Sequence, residues 1–308
     1  METQRQQEHL AQEIIHRHSD EWLPADPILK AFHRVPRHLF VSRYRIPGTD
    51  RWVDVNAENL KRVSSFIYQD RPLILWGSEA DFHDGDAPVS TISQPSLVLH
   101  LLDLLRLEKG MRVFELGTAS GWNAALMAEL VGPEGHILTA EIIPELAREA
   151  RERLQRLKYP QVEVFAGDAF NAVAGKKFDR VIFTAAAEDL PRSFYECLPV
   201  GGLLLFVLKS PLGPDHFVLL RKGEEGFQSE KIAPCSFVSV TGDGSGAEKA
   251  PAYEEEWHEL HRHFGCFVLS QLTLEMRPAE DLPGLESTPD QVVWRRPQSL
   301  FIWRRRFH

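Results

Sequence analysis

The chain has 308 residues, of which 43% are apolar and 26% charged, with a formal net charge of −9 and a mean hydropathy of −0.26. That length can hold one α/β domain with smaller additions, and the negative balance argues against nucleic acid as the main partner, because neutralising phosphates needs a basic surface. The longest apolar stretch, LVLHLLDLLRL, is broken by His100 and Asp103, so it does not read as a membrane span.

The start, METQRQQEHL, carries no apolar signal core. A polar helix is expected from Gln4 to His18. Thr91, Ile92 and Ser93 precede a helix opened by Pro95. Met111 to Leu116 reads as a buried parallel strand. It ends in the small-residue turn Gly117, Thr118, Ala119, Ser120 and Gly121, and the helix NAALMAELVG follows. After Gly132 a second strand, HILTAEIIP, carries Glu141, 24 residues beyond Gly117. Pro144 then opens an amphipathic helix, PELAREARERLQRL, with Glu149 four residues before Arg153. A third strand, QVEVFAG, ends at Asp168, and a fourth, FDRVIFTAAA, carries Thr184. The alternation predicts a doubly wound, Rossmann-like parallel sheet whose strand ends share one ligand-binding edge.

The turn suits a ligand approaching the backbone, although small residues there also let a helix pack closely on a strand. Gly117-x-x-x-Gly121 is not the G-x-G-x-x-G of dinucleotide sites, and no P-loop lysine follows. A nucleoside without phosphates, such as S-adenosylmethionine, fits better. Glu141 would accept the ribose hydroxyls, and Asp168 would face the adenine amino group. A solvated strand-end carboxylate and a simple Gly-Asp turn are the plainer readings. The cofactor-binding set is therefore Glu115, Gly117, Thr118, Ala119, Ser120, Gly121, Glu141, Asp168 and Thr184, with no metal ligand.

The segments VPRHLFV (35–41), YQDRPL (68–73), STISQPSLVLHLLDLL (90–105), VFELGTASGWNAALMAELVG, FDRVIFTAAAEDLP and LPVGGLLLFVL together resemble the protein-L-isoaspartate O-methyltransferases over about residues 28 to 240. The resemblance implies an S-adenosylmethionine-dependent methyltransferase in which the TIS-x-P segment lies over the transferable methyl group and helps hold the substrate carboxylate. Thr91 and Ser93 would then be the catalytic hydroxyls, with Gln94 and Pro95 shaping the loop. Ser93 also reads as an N-cap for the helix at Pro95. The chain departs from the family pattern at Ala119, usually glycine, at Trp122, usually tyrosine, and at Ser96, often histidine or tyrosine. Inserts at 42–67 and 76–90 would flank the substrate mouth. They leave open whether the acceptor is an isoaspartyl residue in any peptide, as in protein repair, or one aspartate of a dedicated partner peptide. A cofactor-binding adaptor without catalysis is the third reading.

Three domains are expected: 1–75 as a helical extension with an insert, 76–240 as the methyltransferase core, and 241–308 as linker and β-rich addition. TGDGSGAEKAPA (241–252) reads as the linker. In WHELHRHF the histidines 258, 261 and 263 lack the helical zinc spacing, and FGCFVLSQLTLEMR reads as a strand. The Trp-Arg runs of QVVWRRPQSLFIWRRRFH could meet nucleic acid or an acidic leader peptide, but read more plainly as two packed strands with solvated arginines. Cys197, Cys235 and Cys266, odd in number and widely spaced, point to reduced thiols. The expected protein is cytoplasmic, with no membrane or nucleic-acid partner.

Overall fold

The computed structural model describes residues 2–77, 90–240, 253–265 and 269–306. The insert residues 78–89, the expected linker 241–252 and Cys266 lie outside them. The chain divides into two compact units, Met1–Gly167 and Asp168–His308, a boundary inside the span 76–240.

The first unit opens with α1 (Glu2–His18), which buries Leu10, Ala11 and Ile14 on one face. The buried Gln7 side chain donates to the Phe32 carbonyl of α2 (Asp26–Arg34). After a 3-10 turn (Arg37–Phe40), the insert folds as an antiparallel pair, β1 (Arg43–Arg45) and β2 (Trp52–Asp54), followed by α3 (Leu60–Ile67). β3 (Leu73–Trp76) pairs antiparallel with β4 (Ser90–Ile92), which leads into α4 (Pro95–Leu105).

β5 (Arg112–Leu116), α5 (Trp122–Val131), β6 (His136–Glu141), α6 (Pro144–Arg156) and β7 (Val162–Ala166) then alternate. The three strands are parallel and adjacent in the order β5, β6, β7, with Val113 opposite Ile137 and Ile137 opposite Val162. Beyond their first residues β5 and β6 are buried along their whole length, as expected of strands covered on both faces. Pro144 sits in the first turn of α6, and Leu146, Ala147, Ala150 and Leu154 form its buried face.

The second unit contains α7 (Ala169–Val173), β8 (Arg180–Phe183), α8 (Arg192–Cys197), β9 (Leu203–Leu208), β10 (Asp215–Lys222) and β11 (Phe227–Cys235). α9 (Tyr253–Phe264), β12 (Leu272–Pro278), β13 (Gln291–Arg295) and β14 (Ser299–Arg305) complete it. β8 and β9 are parallel; every later pairing is antiparallel, in the order β13, β14, β12, β11, β10, β9, β8. The C-terminal strands therefore prolong this sheet through the pairing of Phe227 with Met276. The stretch beginning FGCFVLSQ is not one continuous strand: the strand starts only at Leu272, after a 3-10 turn over Leu269–Gln271.

The tail's aromatic and basic residues are used internally. Trp257, Trp294 and Trp303 are all buried, with ring centroids 5.3 Å and 5.1 Å apart along the series. Arg295, Arg305 and Arg306 are exposed, as expected, whereas Arg296 is buried and Arg304 half-buried; several of them also find partners. Arg304 meets Glu275 at 2.7 Å, and Arg296 meets Glu256 at 2.7 Å. Arg305 donates to the Phe264 carbonyl at 3.0 Å, and Arg295 to the Leu282 and Leu285 carbonyls at 3.1 and 3.2 Å. The three histidines lie on α9, where His258 faces Glu254 and His263 bonds the Pro289 carbonyl. Among the described residues, no helix is long and apolar enough to cross a membrane.

Candidate active site

The turn after β5 is held from below by β6: the Gly117 and Thr118 amides donate to the Ala140 carbonyl at 2.9 and 3.2 Å. Three of its residues have positive φ, Gly117 at 98°, Ala119 at 46° and Gly121 at 82°. A Cβ on Gly121 would stand 3.1 Å from Leu154 Cδ1, so this glycine both bends the backbone and lets α6 pack against the start of α5. Ala119 takes the left-handed conformation without glycine's freedom. Its amide donates to Glu141 Oε2 at 2.7 Å, the bond that holds it there.

Glu141 is 6% exposed. Its other oxygen accepts from the Ile143 amide at 3.1 Å, and among the described residues no cation forms an ion pair with it. Burial pushes its carboxyl up from the ordinary value, while the amides of Ile143, Ala119 and Ile142 pull the other way. A carboxylate has about four acceptor positions, so the hydrogen bonds from the Ala119 and Ile143 amides leave room for further donors. Ribose hydroxyls are donors of the kind this acceptor suits.

Thr118 and Ser120 turn inward. Thr118 Oγ1 lies 2.7 Å from Thr139 Oγ1, and Ser120 Oγ accepts from the Trp122 amide at 3.3 Å. Glu115, fully buried, accepts from Thr139 Oγ1 and from Asn123 Nδ2, both at 2.6 Å. Glu115 thus braces the turn from beneath. Burial pushes its carboxyl up to about 7, the Thr139 and Asn123 hydrogen bonds lower it, and the Glu141 charge adds to the rise.

An acid bound more tightly to its proton in the folded state contributes stability that is complete below the unfolded pKa and lost as pH rises through the folded one. Between pH 4.5 and 8, Glu115 is therefore expected to cost the wild type about 3 kcal/mol. Glu115→Gln should remove that fall, since Thr139 can accept from the amide and donate to Thr118. Urea denaturation of both proteins across this range measures it. Equal pH slopes would show that Glu115 does not titrate there.

Ser93 and Thr91 lie in another part of the same unit, and both are half-buried. The N-cap of α4 is Gln94, and its side chain makes no capping bond. Asp70 does that work from a distance, accepting from the Ser96 amide at 2.8 Å while also bonding Gln94 Nε2 and Arg17. The capping role expected of Ser93 thus belongs to Asp70.

The loop carrying Ser93 is fixed by Arg37, which the sequence pattern does not single out. Arg37 is fully buried. Its Nη1 donates to the carbonyls of Ile67 (2.8 Å) and Gln69 (3.0 Å), and its Nη2 to those of Arg71 (2.9 Å), Ile92 (3.2 Å) and Ser93 (3.0 Å). Burial pushes its pKa down to about 9, with Asp70 and Tyr68 opposing, so it stays charged at neutral pH. The same guanidinium lies 5.5 Å from the ring centre of Trp122, whose Nε1 donates to the Val35 carbonyl at 3.1 Å. Trp122 is the first residue of α5, so the Ser93 loop and the turn after β5 are tied to one buried cation. Arg153 on α6 holds the turn as well, donating to the Ser120 carbonyl at 3.0 Å.

Asp168 and Thr184 belong to the second unit. Asp168 is the N-cap of α7, its Oδ1 accepting from the Phe170 amide at 2.9 Å. Thr184 follows β8 and is half-buried.

A parallel-stranded core, a small-residue turn and a buried strand-end acid define the class of doubly wound nucleoside-binding methyltransferases. Comparison with known proteins narrows it. The family model described as protein-L-isoaspartate(D-aspartate) O-methyltransferase matches residues 6–245, and the chain belongs to that family. The protein-L-isoaspartate O-methyltransferase of Ignicoccus hospitalis is 34% identical over 223 residues, covering 72% of this chain and 92% of that one. Its Bradyrhizobium counterpart is 42% identical over 153 residues, covering 48% and 68%. A solved protein-L-isoaspartate O-methyltransferase superposes with a TM-score of 0.64 at 20% identity, covering 97% of this chain and 88% of that one. A Plasmodium falciparum structure, titled a putative member of the family in complex with S-adenosyl-L-homocysteine, gives 0.53 at 17% identity, covering 76% and 97%. These structural likenesses show a shared fold, and the first extends it across most of the C-terminal addition.

Proposed function

We infer that the protein transfers a methyl group from S-adenosylmethionine to the carboxylate of L-isoaspartyl residues in proteins, the first step of isoaspartyl repair. The observation that carries this reading is Arg37, which fastens the Ser93 loop beside the helix that begins at the cofactor turn. When bound, the cofactor supplies an electrophilic methyl group on a sulfonium. Glu141 would hold its ribose, Gly117 and Ala119 would admit its backbone-facing edge, and Asp168 and Thr184 are assigned to its nucleobase side.

A carboxylate is already ionised near pH 7, so transfer needs no general base. What remains is orientation and exclusion of water. Fixing two reactants in attack geometry can contribute ~7 to 11 kcal/mol. The hydroxyls of Thr91 and Ser93, two residues apart, are assigned to orient the acceptor oxygens. Neutral donors suit this role, because methylation removes the carboxylate's charge and a cation paired with that carboxylate would favour the reactant over the product. Arg37 is occupied by five carbonyls and does not compete.

Ser93→Ala is expected to leave cofactor affinity unchanged and to lower ester formation about 10- to 100-fold, the loss of one oriented bond at about 1.4 kcal/mol per decade. Calorimetry with S-adenosylmethionine and a methyl-ester assay separate the two. Full retained activity would remove Ser93 from the acceptor site. The function itself is tested with labelled cofactor and matched isoaspartyl and aspartyl peptides, scoring base-labile label. Label on aspartyl peptides alone would favour a dedicated partner peptide. The ordered insert of β1, β2 and α3 beside the acceptor loop supports that second reading. Cofactor binding without any label would favour an adaptor.

A further inference from the structure

Just after the insert, Arg71 stands close to the Ser93 loop and, among the described residues, has no carboxylate partner. The Arg71 guanidinium lies 3.8 Å from the ring centre of Phe66, and Tyr44 stacks on Phe66 at 4.8 Å with the planes 18° apart. Arg71 and Tyr44 thus both stack on Phe66, in a cluster drawn from β1, α3 and the residues before β3. The Tyr44 hydroxyl is within electrostatic reach of Arg71 and also of Arg62. Arg71 Nε is buried and has no hydrogen-bond partner. Among the described residues no carboxylate pairs with Arg71. The adjacent Asp70 is committed to Arg17, Gln94 and the Ser96 amide.

The stack is coupled to the acceptor loop through the main chain. The carbonyls of Arg71 and Ser93 accept from the same nitrogen, Arg37 Nη2, at 2.9 and 3.0 Å. Leu73, two residues after Arg71, pairs with Ile92. A guanidinium held over an aromatic ring is pre-organised, and its remaining N–H groups form a fork that matches a carboxylate. In a chain of net charge −9, two arginines flanking one hydroxyl make a local positive field that would draw acidic substrate in.

We propose that the Arg71–Phe66–Tyr44 stack is a substrate subsite that binds an acidic side chain flanking the residue to be methylated. The proposal rests on the reading of the protein as a peptide carboxyl methyltransferase and adds its sequence preference. The bound carboxylate is a second one, distinct from the acceptor, for which pairing with a cation would oppose methyl transfer.

The test uses the full chain and two isoaspartyl peptides that differ only in whether the flanking positions carry glutamate or alanine. Wild type is expected to show a KM about 3- to 5-fold lower for the glutamate peptide, with similar kcat. Arg71→Ala should bring the two KM values together with kcat unchanged, and Arg71→Glu should reverse the preference in favour of a lysine-flanked peptide. Raising NaCl from low to high concentration should erode the wild-type preference, which keeps the proposal testable if the variants fold poorly.

Equal KM values in wild type would overturn the proposal. So would a preference that survives in Arg71→Ala, or an equal loss on both peptides, the mark of a merely structural arginine. Fluorescence anisotropy with labelled peptides reads the same preference without turnover. If no peptide is methylated but anisotropy still shows an Arg71-dependent preference for glutamate, the function reading fails and the subsite stands.

Discussion

Arg37→Met is expected to lower the stability of the protein by about 3 to 5 kcal/mol, because it strands buried carbonyls that now share one charged donor. The five acceptors come from residues 67, 69, 71, 92 and 93, and water cannot readily replace a donor that is fully buried. Urea denaturation measures the effect, and an unchanged midpoint would show that the carbonyls do not depend on Arg37. The informative companion is Arg37→Lys. An ammonium keeps the charge but lacks the planar fork, and with three donors it cannot serve all five acceptors. This variant should fold, bind S-adenosylmethionine with wild-type affinity, and form methyl ester about 10- to 100-fold more slowly. Wild-type turnover in Arg37→Lys would mean that the position of Ser93 does not depend on the clamp.

Glu141→Ala is expected to weaken S-adenosylmethionine binding by ~2 to 4 kcal/mol, the loss of two hydrogen bonds to a charged acceptor with partial replacement by water. The loss would have two sources, since Glu141 also holds the Ala119 amide and so keeps an alanine in a backbone region that costs roughly 1 to 2 kcal/mol. Adding Ala119→Gly to Glu141→Ala separates them: glycine relieves the turn without restoring the ribose acceptor. Calorimetry should show only partial recovery in the double variant. Unchanged affinity in a folded Glu141→Ala protein would remove this residue from the cofactor site.

The strands and the turn after β5 were legible because their signals are local. A strand buried on both faces, a run of small residues and an acid at the next strand end lie within 30 residues, and β5, β6 and α6 fall at the expected positions. The Glu149 and Arg153 spacing was also readable, and the pair forms at 3.7 Å. That Arg153 turns inward to the Ser120 carbonyl was not, since nothing in a helical period shows which carbonyl a buried guanidinium will find. Arg37 and Asp70 were hidden for the same reason. Both stand in quoted segments, VPRHLFV and YQDRPL, yet their partners are main-chain groups whose identity is set by tertiary packing. The alternative reading of Ser93 as a cap had sound local grounds, since serine near the start of a Pro-opened helix is a common cap, but a long-range carboxylate takes that role. In the tail, burial of the tryptophans was readable, whereas the pairing of its arginines with Glu275, Glu256 and loop carbonyls was not.

The Arg37 clamp also bears on what the Ser93 loop needs in order to form. Its acceptors lie 30 to 56 residues further along the chain, and closing segments of that length costs entropy that only the finished contacts return. The cofactor turn is different: Gly117, Ala140 and Glu141 can meet within one βαβ unit, a short-range event. The clamp is complete only when residues 37, 67–71 and 92–93 have come together, so the Ser93 loop owes its place to tertiary packing and not to any local turn.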